Sequence, residues 1–68
     1  MSTTTRQWLR ALRINKGLKQ IDIADAVGIS IQQYSSIETG YRNPSNTVAK
    51  KIAAFLDFPW TLFYEDIE

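Results

Sequence analysis

The sequence predicts an all-α fold of five short helices, and three observations support this class. Apolar residues recur every three or four positions along most of the chain, the spacing of helices with one buried face. Glycines stand where these periodic segments stop, and serines stand where new ones begin: Gly17, Gly28, Gly40, Ser30, Ser45. At 68 residues the chain has the size of one small domain, so we treat residues 1–68 as a single unit.

The first helix is predicted over about residues 5–16 and ends at Gly17. The helical spacing of the apolar residues directs Leu9 and Leu12 toward the core and places Trp8 at a partly buried edge. The helix therefore contributes one apolar stripe to a shared core.

Residues 20–40 predict two short helices separated by a tight turn, the layout of a helix-turn-helix. Apolar residues at helical spacing lead to Gly28, which can adopt φ > 0 without a Cβ penalty and so end a helix: Ile21, Ala24 and Val27. Ser30 stands where an N-cap would start the next helix at Ile31, and Gly40 ends that helix.

The two faces of this third helix differ in chemistry. At about 100° per residue, Tyr34, Ile37 and Glu38 share an inward face. The opposite face is polar and uncharged, with these residues: Gln32, Ser36 and Thr39, flanked by Gln33 and Ser35. Such a face can simply be solvated, or its amides and hydroxyls can hydrogen-bond to base edges in a DNA groove. Its position directly after a glycine turn favours the second interpretation.

Two helices complete the fold. Pro44 disfavours helix at Asn43, and Ser45 then caps a fourth helix over about residues 46–56. Its spacing predicts these buried residues: Val48, Ile52, Phe55 and Leu56. Asp57 and Phe58 break it, and Pro59 opens a short fifth helix.

Composition excludes several classes of protein. The chain contains neither cysteine nor histidine, so disulfides, the usual zinc sites and catalytic triads with a histidine base are not expected. The carboxylates are scattered, so we expect no enzyme activity, no cofactor and no metal. No apolar run is long enough for a membrane span and no secretory signal is recognisable, which predicts a cytoplasmic protein without a membrane partner.

Charge is segregated along the chain. Residues 1–56 hold all eight basic residues and three acidic ones, whereas residues 57–68 hold four acidic residues and no basic one. A positive body attracts phosphates, while the acidic end, including the tail 65–68, either orients the molecule or is ordinary solubilising surface. Arg6 and Arg10 on the first helix could reach phosphates, although exposed arginines there are more often plain solvated surface.

A set of residues resembles, in order and spacing, the Cro/repressor (XRE-type) helix-turn-helix family over roughly residues 6–64. These residues are Leu12-Arg13, Lys16-Gly17-Leu18, Gln20, Ala24, Gly28-Ile29-Ser30, Ile37-Glu38, Gly40 and Arg42-Asn43-Pro44-Ser45. The resemblance implies a compact five-helix, lambda-repressor-like domain. It also implies a regulator, in our interpretation a repressor, that binds double-stranded operator DNA as a homodimer with its third helix in the major groove.

The resemblance implies roles for individual residues. The residues implied to read DNA bases are Ile31, Gln32, Gln33 and Ser36. The residues implied to contact DNA phosphates are Gln20, Ser35, Thr39, Tyr41, Arg42 and Asn43. Arg13 and Glu38 are implied to form a structural ion pair between the first and third helices.

The chain departs from the family pattern in three ways. Ile31 and Ser36 are less informative for base readout than the Gln, Arg or Lys often found at such positions. Lys19 replaces the usual N-cap of the second helix, at a cost of about 1 kcal/mol unless Asp22 compensates. Tyr34 replaces a small aliphatic residue, so its ring should lie along the contact between the second and third helices, with the hydroxyl reaching solvent or a phosphate.

The fifth segment is rich in aromatic residues, and a domain this small is not expected to bury all of them. We expect an exposed patch formed by Trp60, Phe63 and Tyr64, which we interpret as the homodimer interface. Packing of these residues into the core is the alternative. A second hypothesis for the whole protein is an interaction module, such as an antitoxin or a phage anti-regulator, that docks a protein through this aromatic and acidic segment.

Overall fold

A computed structural model describes residues 6–65, and the secondary structure of this range is entirely helical, as predicted. The five helices are α1 (Gln7–Asn15), α2 (Gln20–Val27), α3 (Ile31–Glu38), α4 (Asn46–Leu56) and α5 (Leu62–Glu65). The predicted start of the first helix at residue 5 and the tail positions 66–68 lie outside the described residues. Across residues 6–65, no helix has the length and apolar character that a bilayer crossing requires.

Local signals set the helix ends. Gly28 ends α2 with φ of +80°, the left-handed conformation predicted for it. The hydroxyls of Ser30 and Ser45 accept hydrogen bonds from the backbone N–H groups of Gln33 and Val48, at 3.0 and 3.2 Å, so both predicted N-caps are present.

The start of α2 uses a different device. The side chain of Lys19 has no oxygen that could cap the helix, but the Asp22 carboxylate accepts the backbone N–H of Lys19 at 2.8 Å. Asp22 also places a negative charge in the first turn of α2, where the helix dipole favours it. The departure at Lys19 is thus compensated by a hydrogen bond as well as by the expected dipole.

All five helices contribute to one hydrophobic core, in which α2 packs against both α3 and α4. Its members are Leu9, Ile23, Ala24, Val27, Tyr34, Ile37, Ala49, Ile52, Leu56 and Phe63. Ala24 is fully buried. In α2 the inward stripe runs through Ile23 rather than Ile21, which is exposed.

The inward face of α4 differs from the prediction at one large residue. Phe55 was expected in the core but is 43% exposed. The buried face is formed by Ile52 and Leu56 together with the small residues Ala49 and Ala53. Phe55 lies about 110° from the mean direction of these four residues on an ideal helix, so its ring points away from the core.

The prediction for Phe63 was wrong as regards the homodimer surface, because this residue is 1% exposed within one subunit. Its ring packs edge to face on Trp8 with centroids 5.3 Å apart, and on Phe58 at 5.6 Å. Trp8 and Phe58 are themselves 5.3 Å apart. The left-handed turn at Asp57, with φ of +63°, folds the chain back so that Phe63 closes the core beneath α1.

Candidate nucleic-acid interface

The start of α3 is held by a reciprocal pair of hydrogen bonds. The Ser30 hydroxyl accepts the Gln33 backbone N–H at 3.0 Å, and the Gln33 side-chain oxygen accepts the Ser30 backbone N–H at 3.2 Å. This capping box satisfies two backbone donors that the helix itself cannot. The first turn of α3 is therefore rigid where it emerges from the turn at Gly28.

The two faces of α3 are arranged as predicted. Tyr34, Ile37 and Glu38 are buried. Outward lie residues with exposed side chains, namely Ile31, Gln32, Gln33 and Thr39, and two half-buried serines, Ser35 and Ser36. The Thr39 hydroxyl donates to the Ser36 carbonyl at 3.2 Å, so it adds a local hydrogen bond near the end of the helix.

A shallow depression brings together residues from both predicted groups. It is lined by Gln32, Gln33, Ser36, Tyr41 and Arg42. The first three were predicted to read bases, and the last two to contact phosphates. Arg42 supplies a positive charge at the edge of a surface that is otherwise uncharged.

Behind this surface, the Glu38 carboxylate is buried and accepts hydrogen bonds from three side chains. Arg13 donates from Nε at 2.7 Å and from Nη2 at 3.1 Å, which is the ion pair that the resemblance implied. Gln20 Nε2 and the Tyr34 hydroxyl donate at 2.9 Å each. The network joins α1, α2 and α3 at one point.

This network sets the ionisation of its members. Burial acts to raise the pKa of Glu38, but the hydrogen bonds from Arg13, Gln20 and Tyr34 outweigh it and hold the pKa below its ordinary value. The hydrogen bond to Glu38 raises the pKa of Arg13. Burial, together with the nearby Glu38 charge, raises the pKa of Tyr34. At neutral pH the arrangement is a carboxylate between a guanidinium and two neutral donors.

Tyr34 was expected to present its hydroxyl to solvent or to a phosphate, and this was wrong. The ring is fully buried and the hydroxyl donates to Glu38, one helical turn further on. The four-residue spacing of Tyr34 and Glu38 on the inward face was the signal that could have identified this pair.

The structure assigns Gln20 an intramolecular role. Its amide nitrogen donates to Glu38, and the side chain is half-buried at the first position of α2. Contact of Gln20 with a phosphate therefore stays a prediction and involves a side chain that already has a structural partner.

Arg6 was overlooked as a structural residue, because the sequence suggested a solvated or phosphate-binding arginine. It is only 2% exposed. Its Nη1 donates to the carbonyls of Ile37 and Arg42 at 2.5 and 3.1 Å, and its Nη2 donates to Asn43 Oδ1 at 2.6 Å. The guanidinium also lies 5.5 Å from the centroid of the Phe63 ring. No local sequence pattern marks these contacts.

The remaining predicted surface lies along α4. Trp60 is half-buried and Tyr64 is 48% exposed, with ring centroids 5.1 Å apart. Lys50 Nζ lies 4.8 Å from the Trp60 ring, and the Tyr64 hydroxyl donates to Asn46 Oδ1. The segment that contains Trp60 and Tyr64 therefore packs against the outer side of α4.

Comparison with known proteins identifies similar sequences. Residues 9–63 match the protein family described as Helix-turn-helix. A relative named as an uncharacterized HTH-type transcriptional regulator, YqaF of Bacillus subtilis strain 168, is 45% identical over 62 residues. The aligned part covers 91% of this chain and 82% of that relative.

Proposed function

Because this chain belongs to the XRE-type helix-turn-helix family of DNA-binding transcription regulators, we propose that it represses transcription by placing α3 in the major groove of an operator. The observation that carries this proposal is the depression in which outward side chains of α3 meet Arg42 of the following loop. A helix that offers amides and hydroxyls beside one cation matches the edges of bases next to a phosphate backbone.

Base readout is assigned to the first half of α3 and to Ser36. Exposed Gln32 can form a bidentate pair with adenine. The Gln33 oxygen accepts the Ser30 N–H, so its outward group is the amide NH₂, which suits the acceptors of guanine or thymine. Ile31 would touch a thymine methyl group.

Phosphate contacts are assigned to residues around the base-reading surface. Arg42 supplies the charge, and exposed Tyr41 supplies a hydroxyl beside it. The other proposed contacts are Asn43, Ser35, Thr39 and Gln20. Such contacts fix the register of the protein on DNA and make its affinity dependent on salt.

We place the homodimer surface at Trp60 and Tyr64, without Phe63. Half-buried Trp60 and exposed Tyr64, both held against α4, form an apolar ledge that a second copy can cover. A two-fold axis through this ledge would present two copies of α3 to half-sites about one DNA turn apart, and hence to a palindromic operator.

Selection of binding sites from random duplex DNA tests the proposal, followed by a salt titration of the selected sequence against bulk DNA. We expect a symmetric consensus with half-sites separated by about 10 base pairs. Failure to enrich any sequence, together with capture of a stoichiometric protein partner through Trp60 and Tyr64, would instead support a protein-interaction module.

A further inference from the structure

Arg6 links the entry of α1 to the end of α3 and to the loop that follows it. Its backbone N–H donates to the Glu38 carbonyl at 2.9 Å, while its guanidinium bonds to Ile37, Arg42 and Asn43 as described above. These partners lie 31 to 37 residues away along the chain. We propose that Arg6 is a positioning residue that holds Arg42 and Asn43 in the geometry that contacts the DNA backbone; this inference rests on the proposed function.

The bonds made by Arg6 explain why an arginine suits this position. The guanidinium is a planar fork of donors, and here two of its nitrogens reach three acceptors in different directions. The Ile37 carbonyl, which accepts from the guanidinium, and the Glu38 carbonyl, which accepts from the Arg6 backbone N–H, both belong to the last turn of α3. The carbonyls of a last turn have no partner within the helix, and a cation beside them is favoured by the helix dipole.

The loop from Gly40 to Asn43 has no regular secondary structure of its own, so it depends on such contacts. Gly40 turns the chain with φ of +83°. The backbone of Arg42 is then held on both sides, because its N–H donates to the Ser36 carbonyl at 3.1 Å and its carbonyl accepts from Arg6. The Arg42 side chain stays exposed at the edge of the depression.

Asn43 receives a defined orientation from the same contact. Its Oδ1 accepts from Arg6 Nη2 at 2.6 Å, so the amide NH₂ is the end that remains for an outside partner. An NH₂ group donates to a phosphate oxygen, whereas a carbonyl oxygen would repel it. Arg6 therefore orients Asn43 as a donor and holds the backbone that carries the charge of Arg42.

A direct contact between Arg6 and phosphate does not fit the burial of this side chain. At 2% exposure the guanidinium lies behind the loop, with its nitrogens directed at protein acceptors. Its effect on DNA must therefore act through Arg42 and Asn43.

The first experiment uses the protein without DNA, so that it is independent of the proposed function. Amide hydrogen exchange is measured for wild type, Arg6→Lys, Arg6→Ala and the control Arg10→Lys, a change at an exposed arginine of α1, the helix that Arg6 precedes. Lysine keeps the charge but replaces the fork with a single nitrogen. We expect exchange at the Arg42 amide to accelerate about tenfold in Arg6→Lys, the effect of one lost hydrogen bond, relative to core amides of α2.

If hydrogen exchange becomes faster by the same factor at the loop amides and at the core amides, the positioning role is overturned, because such a result indicates only a general loss of stability. If Arg6→Ala does not fold, Arg6→Lys still decides the outcome. The control Arg10→Lys should leave the exchange of both groups of amides unchanged.

The second experiment is a double-mutant cycle on the selected DNA site with Arg6→Lys and Arg42→Ala. Lysine preserves the net charge of the protein. If the slope of log affinity against log salt concentration falls by about one unit in Arg6→Lys, Arg42 has lost its contact with a DNA phosphate. We expect the double variant to bind about as weakly as Arg42→Ala.

Additive losses of affinity, or an unchanged salt slope in Arg6→Lys, would refute the positioning role. Absence of site-specific DNA binding by the wild-type protein would refute the proposed function, and the exchange result would still show whether Arg6 holds the loop.

Discussion

Replacement of Glu38 by glutamine tests whether the buried network holds the DNA-binding half of the fold together. Glu38→Gln keeps the shape of the side chain but removes its charge and replaces one acceptor oxygen with a donor. That donor would face Arg13, Gln20 or Tyr34, all of which donate to Glu38 in the wild type. The variant therefore loses a charge pair and gains a clash between donors.

The expected magnitude follows from burial. Removing one partner of a buried ion pair costs about 3–5 kcal/mol. The Arg13 side chain is 11% exposed, so water reaches it in part, and the remaining amide oxygen keeps one acceptor. We therefore expect a loss of about 3 kcal/mol. A domain of 68 residues has a total stability of about 3–10 kcal/mol, so this loss is a large share.

Urea denaturation followed by tryptophan fluorescence measures this loss, with Glu65→Gln as a control at an exposed carboxylate. At neutral pH we expect Glu38→Gln to lower the midpoint of thermal unfolding by more than about 10 °C. Arg13→Met combined with Glu38→Gln should cost less than the sum of the two single changes, because the pair acts as a unit.

The pH dependence gives an independent check. Since the folded-state pKa of Glu38 lies below its ordinary value of 4.5, its contribution is complete above that pH and is lost as pH falls through the folded pKa. The stability difference between wild type and Glu38→Gln should shrink below about pH 4.5. A cost under about 1 kcal/mol at pH 7, or one that stays constant down to pH 3, would contradict this account.

Three further changes separate the proposed roles on DNA. Gln32→Ala should lose roughly 1–3 kcal/mol on the selected site and relax selectivity there, and equal losses on selected and random DNA would contradict base readout. Arg42→Ala should weaken binding to all sequences and reduce the salt slope by about one, so a loss confined to one sequence would argue against a phosphate contact. Tyr64→Ser should shift the protein from dimer toward monomer in sedimentation equilibrium, and an unchanged mass would exclude this ledge as the interface.

Much of the architecture could be predicted because its causes are local. A glycine with φ > 0 ends α2, serine hydroxyls cap α3 and α4, and the 100° spacing of residues assigns Tyr34 to the buried face of α3. Each of these effects operates within about one helical turn. Residue order therefore determined the helix positions and the outward polar face of α3.

The roles of several side chains depended instead on how the helices dock. The sequence suggested that Arg6 and Gln20 face solvent or DNA phosphates, but each donates a hydrogen bond to an acceptor that lies distant in the chain. Phe63 was assigned to an interface, yet the turn at Asp57 brings it beneath Trp8. Partners of this kind are set by three-dimensional packing, because a long side chain satisfies whichever acceptors or apolar surfaces the neighbouring helices bring within its reach.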